Sequence, residues 1–342
     1  LAGILRNAGF EVTSHAFAEG RTSLIARGVG ASNRAPLCLS AHLAPVPLGE
    51  AAWDRDPLAG TIEGDRLYGR GASDMKSGLA AMVSAACAFG PHPDLCLVLT
   101  AGEENGCEGA RFLAEQEVLK LPMGALVVGE PTANVPLVGH KGVLWLEIEV
   151  AGRTAHGSAP ELGDNAISKA ARLIRKLEGF QFEAAPHPVL GVPTLNVGTI
   201  RGGLNINSVP DRTVIGVDIR TVPGMPHAKI IEAVARCSDD AIRIVPLADM
   251  ASVATDPAHE WIQHVFDVVA VHTGQRAFPQ GAAYFTDAAA LRSVGHPPPT
   301  VILGPGEPSQ AHQTDEFVML PRIDEATAIY ARLIRSWCAR GA

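Results

Sequence analysis

The chain has 342 residues, 47% of them hydrophobic and 19% charged, which suits a folded protein of about two domains and excludes a disordered chain. Asp plus Glu number 36 against 28 Lys plus Arg, a formal net charge of −8, which argues against a nucleic-acid partner. The six cysteines (38, 87, 96, 107, 237 and 338) form no C-x-x-C pair. That disfavours a zinc ribbon or a thioredoxin-like site and reads as buried thiols in a reducing, cytoplasmic compartment.

The longest apolar stretch, Leu79 to Gly90, stops at Pro91-His92-Pro93 and is too short to span a membrane. Leu1 to Arg6 lacks the charged-then-apolar layout of a signal peptide. The chain opens on Leu1 rather than a start methionine, so residues are expected to precede it.

In chain order, Pro36 to Ala41 reads as a buried strand and Ser77 to Phe89 as a helix rich in Ala and Leu. Leu95 to Ala101 is strand-like, Gly109 to Val118 helical, and Gly124 to Gly129 strand-like again. Such alternation predicts an α/β sandwich with strands at least partly parallel. The texture changes near Gly139-His140-Lys141-Gly142. Val143 to Val150 alternates apolar and polar residues, as a half-exposed strand does.

A helix at Asn165 to Leu177 follows, then strands at Thr194 to Ile200 and Arg212 to Arg220. A helix at Ala228 to Ala235 and a strand at Ile242 to Pro246 complete the order β-α-β-β-α-β of a ferredoxin-like unit. Beyond it the first texture returns, with a helix at Pro257 to His272, a strand at Thr300 to Leu303 and a helix at Ile323 to Cys338. The expected organisation is an α/β domain in two parts, 1–141 and 249–342, with an α+β domain inserted at 142–248.

Four segments place metal-type ligands just past an apolar strand or before a helix. Leu37 to Ala41 leads into His42, Gly69 to Asp74 into a helix, Leu97 to Ala101 into Glu103-Glu104, and Leu126 to Gly129 into Glu130. Sites in open α/β sheets gather at the carboxyl ends of strands. One imidazole with several carboxylates suits zinc or a similar divalent ion. Adjacent Glu103 and Glu104 repel unless a cation or a proton separates their roles. On that pair alone a solvated acidic loop is the simpler reading, and the four segments together favour a metal.

Two other patterns carry no site. His259 and His264 are five apart, about 140° around a helix, so they do not share a metal as i, i+4 residues do. Gly69 to Asp74 lacks the third glycine and the βαβ context of a dinucleotide loop, and no G-x-S-x-G or Walker A sequence occurs.

The ordered motifs resemble the M20 metallopeptidases over nearly the whole chain. They are His42…Trp53…Pro57…Gly69-Arg70-Gly71-x-x-Asp74-Met75-Lys76, then Glu103-Glu104, then Gly129-Glu130-Pro131-Thr132. The inserted domain adds Gly152-x-x-Ala155-His156-Gly157-Ser158, Asn207-Ser208-Val209-Pro210-Asp211 and Asp218-Ile219-Arg220. Thr286-Asp287-Ala288, Gly304-Pro305-Gly306 and His312-Gln313-x-Asp315-Glu316 close the match, which looks most like the branch of acetylornithine deacetylase and succinyl-diaminopimelate desuccinylase.

The resemblance implies a zinc-peptidase-like α/β sandwich with an inserted ferredoxin-like lid or dimerisation domain. It implies two divalent ions, Zn2+ before Co2+ or Mn2+. Asp74 would bridge them, His42 and Glu130 would complete one, and Glu104 and His312 the other. Glu103 would act as general base on metal-activated water, and His156 would stabilise the oxyanion, reaching it from the partner subunit in dimers. Arg220 would pair with the substrate carboxylate, while Asn207 and the backbone of Gly304 and Gly306 hold substrate.

The implied activity is hydrolysis of the amide of a small N-acyl amino acid, with a dipeptidase or carboxypeptidase as the alternative. The implied assembly is a homodimer through the inserted domain, with neither nucleic acid nor membrane as partner.

One departure stands out. The family pattern His-x-Asp is here His42-Leu43-Ala44, so the carboxylate that would contact the metal-binding imidazole is missing. Losing such a partner typically costs about 10–100-fold in affinity or activity. Ala44 is therefore compatible with an engineered variant, a natural enzyme with a substitute partner, or an impaired, merely binding protein.

Overall fold

A computed structural model describes residues 1–116, 123–292 and 297–339. The chain divides into two compact units, one of Leu1–Gly139, Ala254–Gly281 and Thr286–Ala342, the other of His140–Val253 and Ala282–Phe285.

The first unit opens with α1 (Ala2–Asn7) and a hairpin of β1 (Glu11–Ala18) and β2 (Arg21–Arg27). Next come β3 (Leu37–His42), the short β4 (Ile62–Glu63) and β5 (Arg66–Tyr68), and α2 (Ser77–Phe89). β6 (Leu95–Thr100), α3 (Glu108–Glu115) and β7 (Ala125–Val128) follow. Val118, the expected end of α3, lies outside the described residues.

The second unit contains β8 (Gly139–His140, entering from the first unit), β9 (Gly142–Ala151), α4 (Ala166–Glu178), β10 (Thr194–Gly202), β11 (Arg212–Thr221), α5 (His227–Arg236) and β12 (Ile242–Met250). After β13 (Val253–Ala254) the first unit resumes with α6 (Glu260–Thr273), α7 (Ala288–Leu291), β14 (Thr300–Ile302), β15 (Phe317–Met319) and α8 (Leu320–Cys338).

The main sheet of the first unit has the order β1-β2-β6-β3-β7-β14. β6, β3, β7 and β14 run parallel, and the β1–β2 hairpin joins β6 antiparallel. Every residue of the four parallel strands is buried, as expected of a sheet covered on both faces. Their apolar runs, such as Leu95-Cys96-Leu97-Val98-Leu99, have no polar alternation because neither face meets water. On one flank Trp261 of α6 and Trp337 of α8 pack edge to face at 5.0 Å. A smaller sheet, β15-β5-β4, joins the segment after residue 312 to the one before residue 70.

The second unit holds a four-stranded antiparallel sheet of order β10-β11-β9-β12. This strand order and the β-α-β-β-α-β succession are ferredoxin-like. Leu144, Leu146, Ile148 and Val150 of β9 share a core with Ile215, Val217 and Ile219 of β11, Leu173 and Leu177 of α4, and Ile230 and Val234 of α5. The alternation seen in the sequence of β9 is thus the alternation between this core and the outer face. Asn165 caps α4, its Oδ1 accepting from Ser168 N at 3.0 Å.

Candidate metal centre

Six side chains converge at the carboxyl ends of the parallel strands. His42 is the last residue of β3, Glu103 and Glu104 follow β6, and Glu130 follows β7. Hydrophobic burial of each strand fixes where the next residue emerges, so strand ends deliver polar groups to one rim. Asp74 lies in an irregular turn between β5 and α2. Gly71 there takes a left-handed φ of 80°, and Asp74 and Met75 depart from helical geometry before α2 begins. His312 comes from the loop before β15 and has a left-handed φ of 64°.

Asp74 stands between the two imidazoles. Its Oδ1 is 3.2 Å from His42 Nε2 and its Oδ2 is 3.5 Å from His312 Nε2. Each histidine has a second carboxylate. Glu130 Oε2 is 3.7 Å from His42 Nε2, and Glu104 Oε2 is 3.1 Å from His312 Nε2. Donor atoms of His42, Glu103 and Glu130 lie within 4.8 Å of one another, as do those of His42, Asp74 and Glu104.

The electrostatics follow from crowding. Burial, reinforced by Asp287, Glu104 and Asp74, drives the Glu103 carboxyl well above its ordinary pKa. Burial together with Asp74 and Glu103 does the same to Glu130, and burial with Asp74 raises Glu104. Desolvation pushes the His42 imidazole down, but Glu130, Asp74 and Glu103 outweigh it and hold its pKa well above the usual value. Asp74, although buried, is held low by the two imidazoles.

So many buried carboxylates repel unless a cation compensates them. Two buried atoms, His42 Nδ1 and Glu104 Oε1, also lack a hydrogen-bond partner among the described residues. Imidazole and carboxylate donors arranged as two sets sharing Asp74 therefore fit a pair of divalent ions.

Asp287 and Cys107 back this rim, and neither was singled out for a role from the sequence. The Cys107 thiol donates to Glu103 Oε1 at 3.9 Å, and the Thr100 hydroxyl donates to Asp287 Oδ2. Asp287 lies within the Thr286-Asp287-Ala288 motif, the one signal for it in the sequence.

Gly304 and Gly306 pack against the same loops. A Cβ on Gly304 would meet Gly129 O at 2.3 Å and Glu130 O at 2.5 Å, and one on Gly306 would meet Ser73 O at 2.1 Å. Gly304 N donates to Thr132 Oγ1, its carbonyl accepts from Asn134 N, and Gly306 O accepts from Ala133 N.

The remaining expected residues lie in the second unit. His156 and Asn207 are brought together there: Gly157 N donates to Asn207 O at 2.8 Å, and His156 pairs with Ser208 in an isolated bridge. The His156 ring lies against Ser158, Nδ1 to Oγ 2.7 Å. Arg220, on β11, makes a forked contact with Asp218, with Nε 2.9 Å from Oδ1 and Nη2 3.1 Å from Oδ2. The indole N–H of Trp145 also donates to Asp218, at 3.1 Å.

Comparison with known proteins identifies the family. The family model for peptidase family M20/M25/M40 matches residues 38–336. The chain is 30% identical to the acetylornithine deacetylase of Vibrio atlanticus over 99% of its own length and 90% of that protein. It is 30% identical to the acetylornithine deacetylase of Myxococcus xanthus over 98% and 90%.

In three dimensions it resembles an M20 family metallo-carboxypeptidase from Sulfolobus solfataricus, with a TM-score of 0.79, 17% identity, and 99% and 93% of the two chains covered. A dinuclear metal-binding M20 peptidase of Bacillus subtilis gives a TM-score of 0.70 at 16% identity, covering 97% and 89%. With a family model matched over residues 38–336 and full-length relatives at 30% identity, the chain belongs to peptidase family M20/M25/M40.

Proposed function

We propose that the chain uses two divalent cations, Zn2+ in preference to Co2+ or Mn2+, to hydrolyse the amide bond of a small N-acyl amino acid, as an acetylornithine deacetylase does. The observation that carries this reading is the Asp74 carboxylate held between two imidazoles, each with its own glutamate. His42 and Glu130 would hold one ion, His312 and Glu104 the other, and Asp74 both. When bound, such a pair supplies Lewis acidity for a carbonyl and lowers the pKa of water toward neutrality.

Glu103 lies within 4.8 Å of the donor atoms of His42 and Glu130 but is assigned to neither set. Placed beside the others, it is assigned the role of general base, taking a proton from water and delivering it to the leaving amine nitrogen, and burial with its neighbouring carboxylates raises its pKa. His156 is assigned to the developing oxyanion, contributed by the partner subunit of a homodimer formed through the inserted unit. Arg220 would exchange Asp218 for the substrate carboxylate, for which a guanidinium fork is suited. Asn207 and the Gly304–Gly306 turn would hold the rest of the substrate.

The inserted unit would serve as lid and dimerisation domain. Six free cysteines suit the reducing cytoplasm, and no helix among the described residues is long and apolar enough to cross a membrane.

The test is metal content and turnover together. The purified protein, stripped and reloaded with zinc or cobalt, is assayed on N-acetylornithine and on other acetyl-, succinyl- and aminoacyl-amino acids. The expected result is two ions per chain and release of the acyl group, with both lost in Asp74→Ala. Preference for aminoacyl substrates would mark a dipeptidase on the same centre. Metal binding without turnover, restored by Ala44→Asp, would mark an impaired binding protein. Failure to bind any divalent ion stoichiometrically would refute the reading, and a sedimentation run tests the dimer.

A further inference from the structure

Glu316 touches neither imidazole, yet it is fully buried and its carboxylate is saturated by the turn that carries Asp74. Oε1 accepts from Ser73 N at 2.8 Å and from Asp74 N at 2.9 Å. Oε2 accepts from Gly71 N at 2.8 Å and from Arg70 Nη1 at 2.8 Å. Three backbone N–H groups in so short an irregular turn have no helical or strand partner to satisfy them, and an unmet buried N–H is costly. The Arg70 guanidinium balances the buried charge, and its Nη1 also donates to Gln313 O at 3.1 Å.

The segment that supplies Glu316 is the one that supplies His312. It holds two left-handed residues, His312 at φ 64° and Asp315 at φ 56°. Its course is pinned by Gly69 N donating to Glu316 O at 2.9 Å, and by Asp315 Oδ1 accepting from Asp54 N and Arg55 N at 3.0 and 3.3 Å. One carboxylate thus ties the loop of one imidazole to the turn of the carboxylate between the two.

We propose that Glu316 is a positioning residue that fixes the Gly71–Asp74 turn relative to the His312 loop, so that Asp74 spans His42 and His312. It acts through Asp74 and not on substrate. This inference rests on the reading of the centre as a metal site. In the carboxamide of Glu316→Gln, one of the two acceptor oxygens becomes an NH2 that faces donors, so the turn loses half of its anchors while the side chain keeps its size.

The experiment is zinc titration by calorimetry on the full chain, with the visible absorption spectrum of the Co2+-loaded protein as a second readout. Circular dichroism establishes that each variant is folded. The expected result for Glu316→Gln is zinc affinity weaker by about 10–100-fold, as for other residues that orient metal ligands, together with an altered cobalt spectrum. Glu316→Asp, which keeps the charge but retracts it, is expected to lie between, and it carries the test if the Gln variant fails to fold.

Wild-type zinc affinity and cobalt spectrum in a folded Glu316 variant would overturn the proposal, even if its melting temperature fell. Absence of stoichiometric metal binding by the unsubstituted protein would instead overturn the metal-site reading beneath it.

Discussion

Ala44→Asp supplies a carboxylate two residues beyond His42, whose buried Nδ1 has no hydrogen-bond partner among the described residues. With Nε2 turned toward Asp74 and Glu130, a ligating His42 carries its proton on Nδ1, and that N–H is left unsatisfied. The backbone after His42 is fixed, since Leu43 N donates to Thr100 O at 2.7 Å, and Ala44 is exposed, so the new side chain creates no overpacking.

Satisfying a buried donor recovers about 1–3 kcal/mol. At about 1.4 kcal/mol per tenfold, that is roughly 5–150-fold in affinity, which brackets the 10–100-fold typical of such partners. The gain is expected at one ion only, because His312 belongs to the other set. Competition titration against a zinc chelator, fitted to two dissociation constants, measures this. One constant should tighten by 10-fold or more and the other should stay within about twofold. Equal tightening of both, or no change in either, would refute the argument that the orphaned Nδ1 weakens the His42 site.

Other outcomes follow from the same geometry. With Glu103 assigned as general base and not as a ligand, Glu103→Gln should lower kcat by about 10²–10⁴-fold while both ions still bind; loss of an ion would make it a ligand instead. Glu103, Glu104, Glu130 and His42 all have raised pKa values in the folded, metal-free protein. Their contribution to stability is therefore full below the ordinary values of 4.5 and 6.5 and is lost as pH rises through the raised ones. Metal binding needs these groups deprotonated, so the gap in melting temperature with and without zinc should widen from pH 5 to pH 8. A constant or shrinking gap would contradict the assignment. Gly304→Ala should destabilise by about 1–3 kcal/mol in chemical denaturation, because its Cβ meets the carbonyls of Gly129 and Glu130; unchanged stability would show that the turn shifts freely.

The parts of the centre that could be read from sequence are those placed by hydrophobic burial. The apolar runs of β3, β6 and β7 are fully buried strands, and the first polar residues beyond them land at a common rim. β1 and β2 were not foreseen. β1 is an edge strand with mostly exposed residues, and Glu11–Ala18 has no apolar run to mark it. β4, β5 and β15 escaped notice because strands of two or three residues carry no period.

The segment before α2 was expected to lead straight into the helix, but Asp74 and Met75 leave helical geometry just ahead of it. Glu316 was visible only as a letter in a motif. Its partners are mostly backbone N–H groups, which every residue possesses, so no pattern of side chains could announce them.

The centre also accounts for how the chain tolerates a long insertion in the middle of its first unit. β7, just before the insertion, and β14, well after it, are parallel neighbours, with Leu126 opposite Thr300 and Val128 opposite Ile302. His42, Asp74, Glu103, Glu104 and Glu130 precede the insertion, whereas Asp287, Gly304, His312 and Glu316 follow it. The set that includes His312 is incomplete until the two segments have paired, and Asp74, shared by both sets, is seated by a carboxylate from the later one. Binding energy for the ions is then also energy for joining the segments, since an unfolded chain offers no such site. This places the entropic penalty of closing a long loop, which grows only slowly with loop length, against both sheet pairing and metal ligation.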